Sequence, residues 1–233
     1  MSEGKQEIVT IDGPAGVGKT SLSRMLAAQL GYTCMDTGAM YRTFAWVLAN
    51  MGRSAADLEG DEFLLGMLQN LDMELLPPLP GEENGRVRLG ESVLGPELRT
   101  EAISALASEI GAQPAVRAVL TAMQQRLGEA GKVVIEGRDT GTVVFPNASW
   151  KFFLDADPAE RARRRAAQLR ARGETDIDEA ALLQNIIARD QADRNREIAP
   201  LKPAADAYVL DTTSLDIKQV LGEMLVHIQI NPA

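Results

Sequence analysis

Eight residues, Gly13-Pro14-Ala15-Gly16-Val17-Gly18-Lys19-Thr20, constrain this chain more than any other stretch. The spacing Gly-x-x-x-x-Gly-Lys-Thr is that of a loop whose backbone N–H groups close around phosphate oxygens. Its flanks agree. Glu7-Ile8-Val9-Thr10-Ile11 is a short apolar run that reads as a strand ending at Asp12. Beyond the loop, Leu22, Met25, Leu26 and Leu30 recur at helical spacing, and Gly31 supplies a C-terminal stop. Strand, glycine-rich turn and helix in that order set the positive end of a helix beside the loop. A tight turn alone would need the glycines but not Lys-Thr in this register. In such a loop Lys19 reaches the β- and γ-phosphates of a nucleotide, and the Thr20 hydroxyl is available to a nucleotide-bound Mg2+. Ser21 follows directly, so either hydroxyl or both can serve.

Composition narrows the classes. A chain of 233 residues can bury one good core with insertions. One cysteine, Cys34, rules out an internal disulfide framework and suits a reducing compartment, so a cytoplasmic protein is expected. No apolar run approaches the roughly 18 residues of a spanning helix, and no signal segment precedes the first strand. The net charge of −9 argues against a nucleic-acid partner. Yet 18 of the 24 basic residues are arginine, and six of them crowd into 161–172. Arginine suits bidentate contacts to phosphate, so local clusters on an acidic protein point to a small-anion site. The only histidine, His227, stands among Leu225, Val226 and Ile228, which reads as structural. Chemistry then falls to Lys, Arg, carboxylates and a bound metal ion.

Strand and helix patterns alternate, as in a parallel sheet covered by helices. Core strands are expected at 7–11, 32–35, 132–136, 150–154 and 207–211, with helices near 19–30, 38–50, 102–111, 114–129, 158–172, 178–196 and 215–227. Residues 71–99 break the alternation. Runs 71–76, 86–89 and 92–94, punctuated by Pro77-Pro78, Asn84-Gly85 and Gly90-Glu91, read as a small antiparallel insert. The helix from Pro158 has Asp157 as its N-cap, and Arg161, Arg164 and Arg165 fall on one face, with Arg163 on another.

Four more segments are dense in polar groups: Asp36-Thr37-Gly38-Ala39-Met40-Tyr41-Arg42, Glu136-Gly137-Arg138-Asp139-Thr140-Gly141-Thr142-Val143-Val144-Phe145-Pro146, Arg189-Asp190-Gln191-Ala192-Asp193-Arg194-Asn195-Arg196, and 199–207. The first two follow strands, where ligands sit in a parallel sheet. With the phosphate loop, these motifs stand in the order found in the bacterial cytidylate kinases, the CMP/dCMP kinase branch of the nucleoside monophosphate kinases. The chain resembles that family from about Ile8 to Asp211. Gly-Arg-Asp-x-Gly-Thr is the most discriminating segment.

The resemblance implies an α/β P-loop kinase fold: a central parallel five-stranded sheet flanked by helices, an antiparallel NMP-binding insert at 71–99 and a helical lid at 156–176. All of it lies within a single domain spanning 1–233. It implies transfer of a phosphoryl group from ATP, bound with Mg2+, to CMP or dCMP, by a monomer. ATP would be held by Gly13 through Ser21, with Thr20 toward Mg2+. Arg42, Arg138 and Arg196 would clamp the CMP phosphate, Arg189 and Asp193 would meet the ribose hydroxyls, and Ser108, Arg117 and Asp139 would recognise cytosine. Thr37 stands where the family often has Ser, and is counted with the substrate residues. Arg161, Arg164 and Arg165, as lid arginines, would join Lys19 and Arg138 in catalysis. Arg53 and Arg99 carry no expected role. Cytosine presents an amino donor at N4 and acceptors at N3 and O2, which a carboxylate and two donors complement. The alternatives are another P-loop small-molecule or nucleotide kinase, or a regulatory nucleotide-binding switch. The switch would need an Asn-Lys-x-Asp motif, which the sequence lacks.

Overall fold

The computed structural model describes residues 6–79, 82, 84–171 and 173–231. Arg172 of the basic helix and positions 80, 81 and 83 of the insert lie outside them. In chain order the elements are β1 (Gln6–Asp12), α1 (Lys19–Leu30), β2 (Thr33–Asp36), α2 (Thr37–Asn50), α3 (Glu62–Gln69), β3 (Met73–Leu76), β4 (Arg86–Leu89), β5 (Ser92–Leu94), α4 (Glu101–Ile110), α5 (Pro114–Gly128), β6 (Val133–Gly137), β7 (Ala148–Asp155), α6 (Pro158–Ala171), α7 (Glu179–Arg194), β8 (Tyr208–Asp211) and α8 (Ile217–Ile230). They form two compact units: Met1–Cys34 with Gly131–Ala233, and Met35–Ala130. Among the described residues no helix is long and apolar enough to cross a membrane.

The first unit is built on a five-stranded sheet in the order β2-β6-β1-β7-β8, in which β6, β1, β7 and β8 pair in parallel. Strands of such a sheet are covered on both faces and read as continuous apolar runs. Val133-Val134-Ile135 of β6 and Phe152-Phe153-Leu154 of β7 do so, each at most 2% exposed. Leu22 and Leu26, four residues apart on α1, join Val9, Ile11, Phe152, Leu154, Val220 and Met224 in one core cluster. The register sets Asp12, the last residue of β1, opposite Gly137 of β6 and Phe153 of β7. The phosphate loop and the Arg138-Asp139 segment therefore start side by side.

A buried carboxylate secures that adjacency. Asp12 Oδ1 accepts from the Thr140 N–H at 2.9 Å and the Thr140 hydroxyl at 2.8 Å, and Oδ2 accepts from the Gly141 N–H at 2.7 Å. These bonds fix a single π-helical turn, Thr140–Val144, in which the Asp139 carbonyl accepts from Val143 N–H at 2.9 Å. Burial pushes the Asp12 carboxyl up to about 6, against the lowering effect of the Gly141 and Thr140 donors.

The second unit holds a three-stranded antiparallel sheet, β3-β4-β5, with Val87 of β4 opposite Leu75 and Leu94. Its helices share a core of Met40, Phe44, Leu48, Leu64, Leu68, Ile110, Val116 and Leu120. Helix α3 was not expected. Asp61 caps it, accepting from Leu64 N–H at 3.0 Å, and Leu64 and Leu68 bury one face. Gly66 in its middle weakens the helical signal, and Phe63, 71% exposed, breaks the amphipathic pattern.

Two measurements test these constraints. Gly13 has φ 151°, and a Cβ there would lie 2.1 Å from the Leu154 carbonyl oxygen. Gly13→Ala should cost about 3 kcal/mol or more. Gly52→Ala, at φ 67° in open space, should cost only about 1 kcal/mol. Equal urea midpoints for the two variants would remove the close approach as the reason. For Asp12, the folded state binds its proton more tightly than the unfolded chain. The stabilisation is complete below pH 4 and is lost as pH rises through about 6. From pH 7 to pH 5 this group should add about 1 kcal/mol of stability. The gain should be missing in Asp12→Asn, as read by unfolding curves at both pH values.

Candidate active site

The phosphate loop runs from the end of β1 into α1, whose N-cap is Gly18 at φ 91°. Val17 is buried in the sheet core, whereas Gly16 and Gly18 are exposed, so the loop is anchored from below and open above. Lys19 is 7% exposed and its Nζ donates to the carbonyls of Gly13 at 2.7 Å and Pro14 at 2.6 Å. Burial, and then the Arg138 charge, pull the Lys19 ammonium well below its usual range, while Glu136 and Asp12 oppose them. The Thr20 hydroxyl donates to Glu136 Oε2 at 3.0 Å. That places Thr20, of the two candidate hydroxyls, against the carboxylate at the end of β6. Ser21 is half-buried on the next position of α1.

Where β6 ends, Arg138 donates from Nε to Asp193 Oδ2 at 2.9 Å and from one terminal nitrogen to the Gly137 carbonyl at 3.3 Å. Asp193 stands on α7 and is 4% exposed. Burial would raise its carboxyl, but the charges of Arg138, Arg196 and Arg189 hold it below the ordinary range. Arg196 also donates from Nε to the Asp193 carbonyl at 3.4 Å. The structure thus gathers Arg138, Arg189, Asp193 and Arg196, expected from separate motifs, into one charged cluster. Asp139, next to Arg138, is 6% exposed.

The basic helix α6 divides its arginines. Arg163 and Arg164 both pair with Glu160, at 2.7 Å and 2.8 Å. Arg163 lies outermost, its side chain 70% exposed, as its face requires. Arg164 also donates to the Thr212 carbonyl at 2.5 Å, which ties it to the end of β8. Arg165 is half-buried. Arg161, expected on the same face as these two, is 1% exposed. Its guanidinium donates to the carbonyls of Ala156 at 2.9 Å and Ala15 at 3.1 Å, and to Asp190 Oδ2 at 2.5 Å. Helical spacing gave no sign of Asp190, which lies 29 residues away.

In the second unit Asp36 caps α2, accepting from Ala39 N–H at 3.1 Å. Its other oxygen accepts from Arg42 at 2.7 Å and Arg99 at 3.0 Å. Burial would raise the Asp36 carboxyl, but Arg42 and Arg99 bring it down to about 2. Two guanidiniums on one carboxylate leave an excess positive charge suited to an anion. Thr37 is buried beside this cap. Arg99 had no expected role, and no local spacing signals a partner 63 residues away. Ser108 is half-buried on α4. Arg117 on α5 is 5% exposed, donates to the Gly111 carbonyl at 3.0 Å, and lies 5.9 Å from the centre of the Tyr41 ring.

His227 is occupied elsewhere: its ring stacks on Tyr208 at 4.4 Å and meets Phe152 edge-on. Among the described residues no group of three or more His, Cys, Asp or Glu side chains is arranged to hold a metal ion. The polar groups that these contacts order are a lysine of the glycine-rich loop, a hydroxyl–carboxylate pair and arginines held by aspartates.

The geometry can be set beside known proteins. A solved structure of an uncharacterized protein from Eubacterium ventriosum superposes with a TM-score of 0.50 at 13% identity, covering 97% of this chain and 99% of that one, which shows the fold. The cytidylate kinase of Nitratidesulfovibrio vulgaris is 48% identical over 230 residues, covering 96% of this chain and 93% of that protein. The cytidylate kinase of Oleidesulfovibrio alaskensis is 46% identical over 218 residues, covering 94% and 96%. Residues 9–230 match the family described as Cytidylate kinase. With the P-loop, the Gly-Arg-Asp segment and the late arginines all within that match, the chain belongs to the cytidylate kinase family.

Proposed function

We propose that the protein transfers the γ-phosphoryl group of ATP to CMP and dCMP, yielding ADP and the nucleoside diphosphate, in a reducing, cytoplasmic setting. One observation carries the reading. A buried lysine, a hydroxyl–carboxylate pair and an aspartate-held arginine converge at the carboxyl ends of β1 and β6. Phosphoryl transfer asks the protein for positioning and charge neutralisation more than for covalent chemistry. The acceptor is already an anionic phosphate, so no strong general base is needed, in keeping with a single histidine stacked on a tyrosine.

Lys19 and the loop N–H groups bind the donor phosphates. Arg138, held in direction by Asp193, binds the acceptor phosphate and sets it in line with the donor. Its charge then meets the charge that develops on the migrating group. Thr20 Oγ1 and Glu136 Oε2, 3.0 Å apart, are hard oxygen donors of the kind Mg2+ takes, so these residues fit a nucleotide-bound Mg2+ and would hold it. When bound, the ion neutralises charge on the β- and γ-phosphates. Arg189 and Asp193 serve the ribose. Arg42, Ser108 and Arg117 enter through the family resemblance, the first toward the acceptor phosphate and the others toward the base.

Asp139 is the base reader in this scheme. A carboxylate only accepts hydrogen bonds, so it complements the cytosine amino group and faces uracil O4 acceptor to acceptor. A buried mispairing of that kind costs about 1–3 kcal/mol.

ADP release measured across CMP, dCMP, UMP and AMP tests the substrate assignment. CMP and dCMP should dominate, and a preference for AMP would overturn it. Lys19→Ala should lower turnover at least about a hundredfold with little change in thermal stability, and near-native turnover would remove the P-loop from the mechanism. Asp139→Asn should narrow the CMP-over-UMP ratio of kcat/KM, mainly by loss of CMP activity. An unchanged ratio would leave Asp139 as a loop-orienting residue.

A further inference from the structure

The Arg161–Asp190 pair reaches the phosphate loop from beneath. The three nitrogens of the Arg161 guanidinium donate to Ala156 O, Ala15 O and Asp190 Oδ2. The loop also rests on the stem of this side chain, since a Cβ on Gly16 would sit 3.4 Å from Arg161 Cβ. Asp190, 7% exposed on α7, commits one oxygen to Arg161, while its Oδ1 is buried with no hydrogen-bond partner. An ion pair that leaves a buried carboxylate oxygen unsatisfied is poorly explained by stability alone.

Peptide geometry supplies a reason. A trans peptide is planar, and its C=O and N–H point in opposite directions. The bond from Arg161 holds the Ala15 carbonyl on the buried side of the loop. The N–H of Gly16 must then point the other way, toward the exposed side, where Gly16 and Gly18 lie. That is the side on which phosphate oxygens meet a loop of this type.

We propose that Arg161 and Asp190 together are a positioning device for the donor phosphates: the pair fixes the Ala15–Gly16 peptide so that the Gly16 N–H faces the phosphate site. The inference rests on reading residues 13–20 as the donor-phosphate loop. Arg161 acts here through the backbone and not by touching the migrating phosphoryl group, which distinguishes it from the lid role its helical face suggests. Asp190 also lies one residue from Arg189 and three from Asp193, so the same turn of α7 that braces the loop carries the cluster around Arg138.

The two roles make opposite predictions for Asp190→Asn. If Arg161 served as a lid arginine, releasing it from Asp190 would leave donor affinity unchanged or improve it. As a brace, Arg161 loses its grip, and affinity for ADP and for inorganic tripolyphosphate should fall roughly 10- to 100-fold. Affinity for adenosine, which carries no phosphate, and for CMP should stay within about twofold. Calorimetric titration of the full chain reads all four. Arg161→Met should match Asp190→Asn, and the double variant should be no worse than either single change. Unchanged tripolyphosphate affinity in Asp190→Asn, or an equal loss for adenosine and tripolyphosphate, would overturn the proposal. Should Arg161→Met fail to fold, Asp190→Asn, which preserves shape and removes the charge that holds Arg161, decides alone. Binding of tripolyphosphate by the wild-type chain tests the loop assignment itself, so its failure is distinguishable from failure of the brace.

Discussion

Backbone N–H groups caught by the buried Asp12 carboxylate are the constraint on which the rest of the first unit turns. Parallel strands offer no short hairpin to hold their ends together. Beyond the last ladder bond, β1 and β6 would lead into independent loops. Asp12 closes that gap by accepting from Thr140 and Gly141. The glycine at 141 is needed for the approach, since a Cβ there would sit 2.7 Å from Thr10 Oγ1. A loop that carries Lys19 and a loop that carries Arg138 and Asp139 are thereby made into one rigid edge. Ionisation of a carboxylate in so dry a place opposes folding, and is tolerated because two main-chain donors and a hydroxyl replace its water.

The arginines follow a common economy. Four candidate binding arginines are aimed by an acid or by a carbonyl: Arg42 by Asp36, Arg138 by Asp193, Arg117 by the Gly111 carbonyl, Arg164 by Glu160 and the Thr212 carbonyl. A long flexible cation that had to be ordered on binding would cost side-chain entropy at that moment. Here ordering is complete beforehand. The acids also keep several like charges close together without unfolding the protein, which explains how a chain with net charge −9 can hold arginines in tight clusters.

Much of this was legible in the sequence, because the signals concerned are local. The Gly-x-x-x-x-Gly-Lys-Thr spacing, the apolar runs of β6 and β7, the cap at Asp157 and the three short runs of the insert depend on neighbours within a few residues, and each found its element. What escaped depends on pairing across the chain. Arg99 meets Asp36 and Arg161 meets Asp190 through tertiary packing alone. Helix α3 escaped for another reason. Its burial rests on Leu64 and Leu68, while Gly66 and an exposed Phe63 blur the periodicity. Glu136 was visible only as part of a polar segment. Its partnership with the Thr20 hydroxyl follows from the β1–β6 register, which no one-dimensional pattern encodes.

The second unit is a continuous segment set between two parts of the first. During synthesis the first strand therefore leaves the ribosome long before its neighbours exist. Asp12 and Thr140 are 128 residues apart. At 5–20 residues per second, β1 and its glycine-rich loop wait roughly 6–25 s for β6. Over that interval Met35–Ala130, with its own core, can collapse first and draw the two ends of its segment together. The entropy of closing a loop grows with the length of free chain it spans. A nascent chain that folds its inserted unit early would thus ease the pairing of the sheet that carries the phosphate loop.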